Sequence, residues 1–209
     1  MNIQLSDHFN YKKLFLFTLP SVVMMVFTSV YCVVDGFFVS NFAGKTAFAA
    51  INLIMPFIMI LGGIGFMIGT GGSALVSYTL GTGDKEKANR YFSMMVYFTI
   101  LAGILLTVLG IIFVRPMAEL FGADESMMDT CVLYGRIVIA FNAAFMLQNI
   151  FQSFFVVAEK PRLGLIVTIT AGVTNMVLDA LFVGVFKWGI VGAALATGIS
   201  QSIGGLLPL

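Results

Sequence analysis

The chain has 209 residues, 59% of them hydrophobic and only 10% charged, against roughly 25% charge in soluble domains. Its mean hydropathy is +1.02 and its net charge is +1. These values exclude a soluble domain and a basic nucleic-acid binder, and they predict an all-α, polytopic membrane helical bundle.

A spanning helix needs roughly 20 apolar residues. Six candidate runs occur in chain order: 14–39, 46–78, 91–114, 128–157, 163–185 and 189–209. The first is too long for a signal-peptide core, and no small-residue cleavage site follows it, so a retained span is expected. It carries Pro20 and Asp35, and the second carries Pro56. A proline inside a helix removes a backbone donor and favours a kink, which neighbouring membrane helices can accommodate. The second run also holds Gly65 and Gly69 at GxxxG spacing, read as a close helix contact. The second and fourth runs are longer than a bilayer requires, so tilt or projection is expected.

Charges between the runs set an orientation. Lys12, Lys13, Lys85, Lys87, Arg90, Lys160 and Arg162 fall on one side. The other side has Lys45, Arg115 and Lys187 together with Glu119, Asp124, Glu125 and Asp129. The positive-inside rule then places both termini in the cytoplasm.

Two acids stand out. Asp35 and Asp179 each lie inside an apolar run. A carboxylate at the bilayer centre costs about 3 kcal/mol on insertion scales, so it normally faces a cavity or a partner. Asp179 follows Leu163 by sixteen residues, which is about 24 Å of helix. Asp35 follows Leu14 by twenty-one, and Thr197 lies eight residues, about 12 Å, into the sixth run. All three are expected in the outer half of the membrane. Asn175 precedes Asp179 by four and shares its helix face, and Thr168 and Gly172 extend that stripe. One such acid can be a structural group bonded to a backbone donor. Two at similar depth, with an amide and a hydroxyl nearby, point to a cation or proton site.

The fourth run adds Arg136, Asn142, Gln148, Asn149, Gln152 and Ser153. Asn142, Gln148, Asn149 and Gln152 are expected to line an aqueous cavity. Arg136 is expected to snorkel to a surface.

Other chemistries find little support. Cys32 and Cys131 form no CxxC and are read as packing residues. The single histidine, His8, leaves few routes to a triad or a histidine metal site, and an intramembrane protease needs an embedded histidine. GTGGSA (69–74) matches GxGxxA formally, but it continues an apolar helix where a dinucleotide fold requires a strand–turn–helix. No catalytic residues are assigned and no enzyme is expected.

Several segments together resemble the N-terminal six-helix half of the multidrug and toxic compound extrusion (MATE) family. They are Pro20 fifteen residues before Asp35, GTGGSALVSYTLGTGDKEKA (69–88), TNMVLDALF around Asn175 and Asp179, and WGIVGAALATGISQ (188–201). The likeness is to the family's bacterial branch and covers nearly the whole chain. It implies one lobe of a twelve-helix transporter in the cytoplasmic membrane. The implied activity is efflux of small amphipathic, mostly cationic drugs, driven by inward H⁺ or Na⁺. It also implies that Asp35 and Asp179, with Asn175 and Thr197 beside them, hold the coupling ion (H⁺, or Na⁺ as the only metal), and that the first helix bends near Pro20. No organic cofactor is implied. The expected partners are the lipid bilayer, the drug, and a C-terminal lobe or a second copy of the chain. Alternatives are a six-helix scaffold or inactive fragment, and a flippase for lipid-linked precursors. The flippase would line its cavity with several basic residues, and only Arg136 is placed to serve.

Overall fold

The computed structural model describes residues 10–209, and His8 lies outside the described residues. The described chain is helical nearly throughout: α1 (Tyr11–Phe38), a π-helical turn π1 (Val39–Ala43), α2 (Lys45–Gly81), α3 (Lys85–Leu120), α4 (Glu125–Ala140), α5 (Asn142–Val157), α6 (Pro161–Asp179), a second π turn π2 (Ala180–Val185) and α7 (Gly189–Leu206). Among the described residues, five helices are long and apolar enough to cross a membrane. The pair α4 and α5 makes a sixth span, bent by 56° at its break. This is a multi-pass membrane protein.

Polar caps mark the helix starts. Asn10, Asp84 and Asp124 each accept a hydrogen bond from a backbone N–H three residues on, satisfying a donor that the first turn leaves open. Pro161 opens α6, where its missing N–H costs nothing.

Lipid gives apolar side chains no reason to leave it, so close packing must hold the spans together. Small residues supply that packing here. Gly62, Gly65, Gly69 and Gly72 are buried along α2. A Cβ on Gly65 would stand 2.6 Å from the Cα of Met146, and one on Gly69 would stand 3.0 Å from the Cα of Ile150. The stripe therefore lets α2 meet the backbone of α5. Asn149 fastens the same contact by donating its amide to the Gly62 carbonyl at 3.2 Å. Gly103 does the same for α3 against the backbone of Ala143, and Gly110 makes room for the side chains of Leu61 and Ile139.

The outer faces are greasy. Leu101, Ile104, Leu105, Val108 and Ile112 on α3 are all exposed, as a lipid-facing stripe must be. α1 contains no buried residue. It lies mainly against α6, where Gly172 leaves room for the rings of Phe27 and Tyr31. A peripheral helix with one principal neighbour can move at lower cost than the central α2.

Candidate functional site

The two intramembrane acids occupy equivalent local positions. Asp35 lies in the last turn of α1 and Asp179 is the last residue of α6. Each is followed by a π-wound segment, and the two π turns touch. Wider winding changes where side chains point, and such turns recur at functional sites. Here it follows the acids on both helices.

Asp179 is fully buried, with 0% exposure, and Asp35 is half-buried. Their carboxylates lie within hydrogen-bonding reach of one another. Yet Oδ1 of Asp35, both carboxylate oxygens of Asp179 and Oδ1 of Asn175 are buried without a hydrogen-bond donor. An ionised carboxylate only accepts. Two facing acceptors in a low-dielectric interior need a proton or a cation between them. The donor set offers two carboxylates, an amide oxygen and a nearby hydroxyl. Such hard oxygens suit a proton or an alkali ion. Among the described residues, no three His, Cys, Asp or Glu side chains cluster for a heavier metal.

A cavity of about 100 Å³, with a wall of mixed polar and apolar side chains, borders Asp35 and Asn175; Asp179 is not in its wall. Asp35, Tyr134, Asn175, Thr197, Ser200 and Gln201 contribute to its wall, together with Gln148 from α5. Thr197 is half-buried, and it shares the cavity wall with the fully buried Tyr134. The space admits an ion with a few waters and is smaller than drug pockets, which begin near 300 Å³. Asp35 also borders a wider groove of about 540 Å³ between α1 and α2, with Ser40, Phe48 and Asn52. This carboxylate thus stands between the small cavity and a space of drug size.

The remaining sequence candidates fall in varied places. Gln148 reaches the cavity, while Asn142, Asn149 and Gln152 stand outside its wall. Asn142 is buried at the α4–α5 break, and Asn149 is occupied as the α2 fastener. All four lie on α5 itself, where Asn142 and Asn149 share one face and Gln148 and Gln152 another, so a cavity that takes Gln148 does not face Asn142 or Asn149. Pro20 is half-buried within α1, Thr168 and Gly172 are buried on α6, and Arg136 is exposed. Tyr134, Ser200 and Gln201 were missed. Gln201 lies four residues after Thr197 and shares its face, a signal that was available. Tyr134 lies in the α4 run and gives no such hint.

A bundle of membrane spans with two acids meeting in its interior defines the class: a multi-pass helical membrane protein. The MatE family model matches residues 20–181, and the chain belongs to that family. The multidrug export protein MepA of Staphylococcus saprophyticus is 24% identical over 196 residues, covering 94% of this chain and 44% of that protein. MepA of Staphylococcus aureus strain MRSA252 is 25% identical over 191 residues, covering 91% and 42%. A solved structure described as the outward-facing conformation of a multidrug resistance MATE family transporter superposes with a TM-score of 0.87 at 23% identity. It covers 94% of this chain and 44% of that one. The chain spans less than half the length of these relatives, and its fold matches 44% of the solved transporter's chain.

Proposed function

We propose that this chain is the N-terminal lobe of a cation-coupled multidrug exporter of the cytoplasmic membrane, with both ends of the lobe on the cytoplasmic side. A second lobe, or a second copy, completes the drug cleft. The substrates are small amphipathic cations and the driving ion is H⁺ or Na⁺. The observation that carries this reading is the contact between Asp35 and Asp179, with unpartnered acceptor oxygens beside a small cavity. The names of the relatives support the export activity.

The mechanism follows from charge and packing. A cation arriving from outside neutralises the acid pair, with Asn175 and Thr197 completing its oxygen shell. Asp35 is then lost as a counter-charge for a cationic drug in the adjoining groove. α1, which lacks a buried residue, bends near Pro20, the cleft contracts, and the drug leaves outward. The ion departs to the cytoplasm and the empty pair attracts the next drug. A site of this kind holds ion or drug in two global shapes, as alternating access requires. Met55 and Met59 from α2 line the small cavity, and such side chains adapt to varied partners. The flippase alternative loses ground because the cavity wall contains no basic residue.

Drug transport in proteoliposomes under separately imposed pH and Na⁺ gradients is the test, made in the two-lobed transporter. Asp35→Asn and Asp179→Asn should each insert normally and lose gradient-driven efflux. Undiminished efflux in both would remove the pair from the mechanism.

A further inference from the structure

The break between α4 and α5 has no proline or glycine to cause it. Residues 139–143 read Ile-Ala-Phe-Asn-Ala. Sharp kinks have identifiable causes, and inserted side chains are among them. Here the backbone N–H of Phe141 turns to Val138, three residues back, at 3.0 Å. The amide of the buried Asn142 reaches the Met146 sulfur at 3.5 Å, and its carbonyl oxygen has no hydrogen-bond donor. The break thus forgoes regular helix bonds and leaves a buried polar atom unsatisfied. Some other contact must hold it.

That contact is the Phe141 ring seated on Gly198 of α7. A Cβ at Gly198 would fall within the ring's own atoms. Gly198 directly follows Thr197, which shares a cavity wall with Tyr134 of α4 and with Asp35. The bent span also wraps this cavity: Tyr134 lies on one side of the break and Gln148 on the other. A ring that fixes the α4–α7 spacing one residue from Thr197 therefore fixes where both hydroxyls stand.

We propose that Phe141 and Gly198 are positioning residues of the cation site: the ring-on-glycine contact sets the distance of Thr197 and Tyr134 from Asp35 and Asp179. This rests on the reading of the acid pair as the coupling site. Neither residue touches the ion, and both act through Thr197. Gly198→Ala pushes the helices apart, and Phe141→Leu lets them settle together. Displaced support around a cation's ligands typically costs 10- to 100-fold in affinity.

The test is transport by the two-lobed protein, with the half-saturating cation concentration and the drug KM measured separately. Both single variants should raise the cation constant about tenfold while the drug KM stays within about twofold. The double variant Phe141→Leu/Gly198→Ala should recover towards wild type, because the added methyl occupies space that the smaller side chain vacates. A general packing role would move both constants together, and that result overturns the proposal. Unchanged cation constants in the folded variants also overturn it. Should Gly198→Ala fail to fold, Phe141→Leu alone still carries the comparison. Asp179→Asn separates the two ideas. Abolished coupling there with unchanged Phe141 and Gly198 variants refutes only the positioning role, whereas retained coupling there refutes the site and the positioning role together.

Discussion

Asp179→Asn tests the chemistry of the acid pair without relying on transport. Carboxylate oxygens of Asp35 and Asp179 lie within reach of each other, and Asp35 Oδ1 and both Asp179 oxygens have no hydrogen-bond donor. Asparagine keeps the shape and supplies N–H donors. The contact then becomes a hydrogen bond to a charged acceptor, worth about 1.5–3 kcal/mol. The variant should therefore be at least as stable as the cation-free wild type, by up to that amount. The wild type should gain stability from its cation by mass action, about 2.7 kcal/mol at a hundred times Kd, and the variant should not. The assay is thermal unfolding in nanodiscs across a Na⁺ series at fixed pH and across a pH series without Na⁺. The wild type should respond to at least one series. A variant destabilised by more than about 3 kcal/mol would show that Asp179 holds the fold through a donor. An undiminished cation response in the variant would place the ion elsewhere.

Two further outcomes follow from packing and capping. Gly65→Ala puts a methyl 2.6 Å from the Met146 Cα, where an ordinary contact needs at least 3.4 Å. Separating α2 from α5 should cost about 1–3 kcal/mol, read as a lower unfolding midpoint, and an unshifted midpoint would refute the close-contact reading. Asp124 caps α4, and its hydrogen bonds from Ser126 and then from the Met127 N–H hold its carboxyl below the usual carboxylate range. Its contribution is complete above the unfolded-state pKa and fades as pH falls through the lower folded value. Asp124→Asn should keep the cap and remove that acid-side component of a stability–pH curve, and an identical curve would count against it.

Much of the fold was legible because membrane spans are written in long apolar runs. Asp35, Asn175, Asp179 and Thr197 could be singled out for a related reason: polar side chains are costly in lipid, and depth follows from the helical rise; the structure brings Asp35 to Asp179 and places Asn175 and Thr197 in the same cavity wall as Asp35. The break at Phe141 was not legible. No proline or glycine marks it, and the ring that makes it acts through Gly198, 57 residues away in sequence. The π turns were equally silent, since one extra residue per turn leaves an apolar run apolar. Tyr134 was hidden because a tyrosine reads as an ordinary apolar-run residue until the fold places it in the cavity wall beside Thr197. The Gly65 and Gly69 spacing announced a close contact without naming α5 as its partner.

The most direct measurement is the number of cations released when drug binds the two-lobed protein in detergent, followed by proton release and by Na⁺ release at fixed pH. One cation should be released per lobe of this type in the wild type, and none in Asp35→Asn or Asp179→Asn. Equal release in those variants, or drug binding with no release in the wild type, would contradict it.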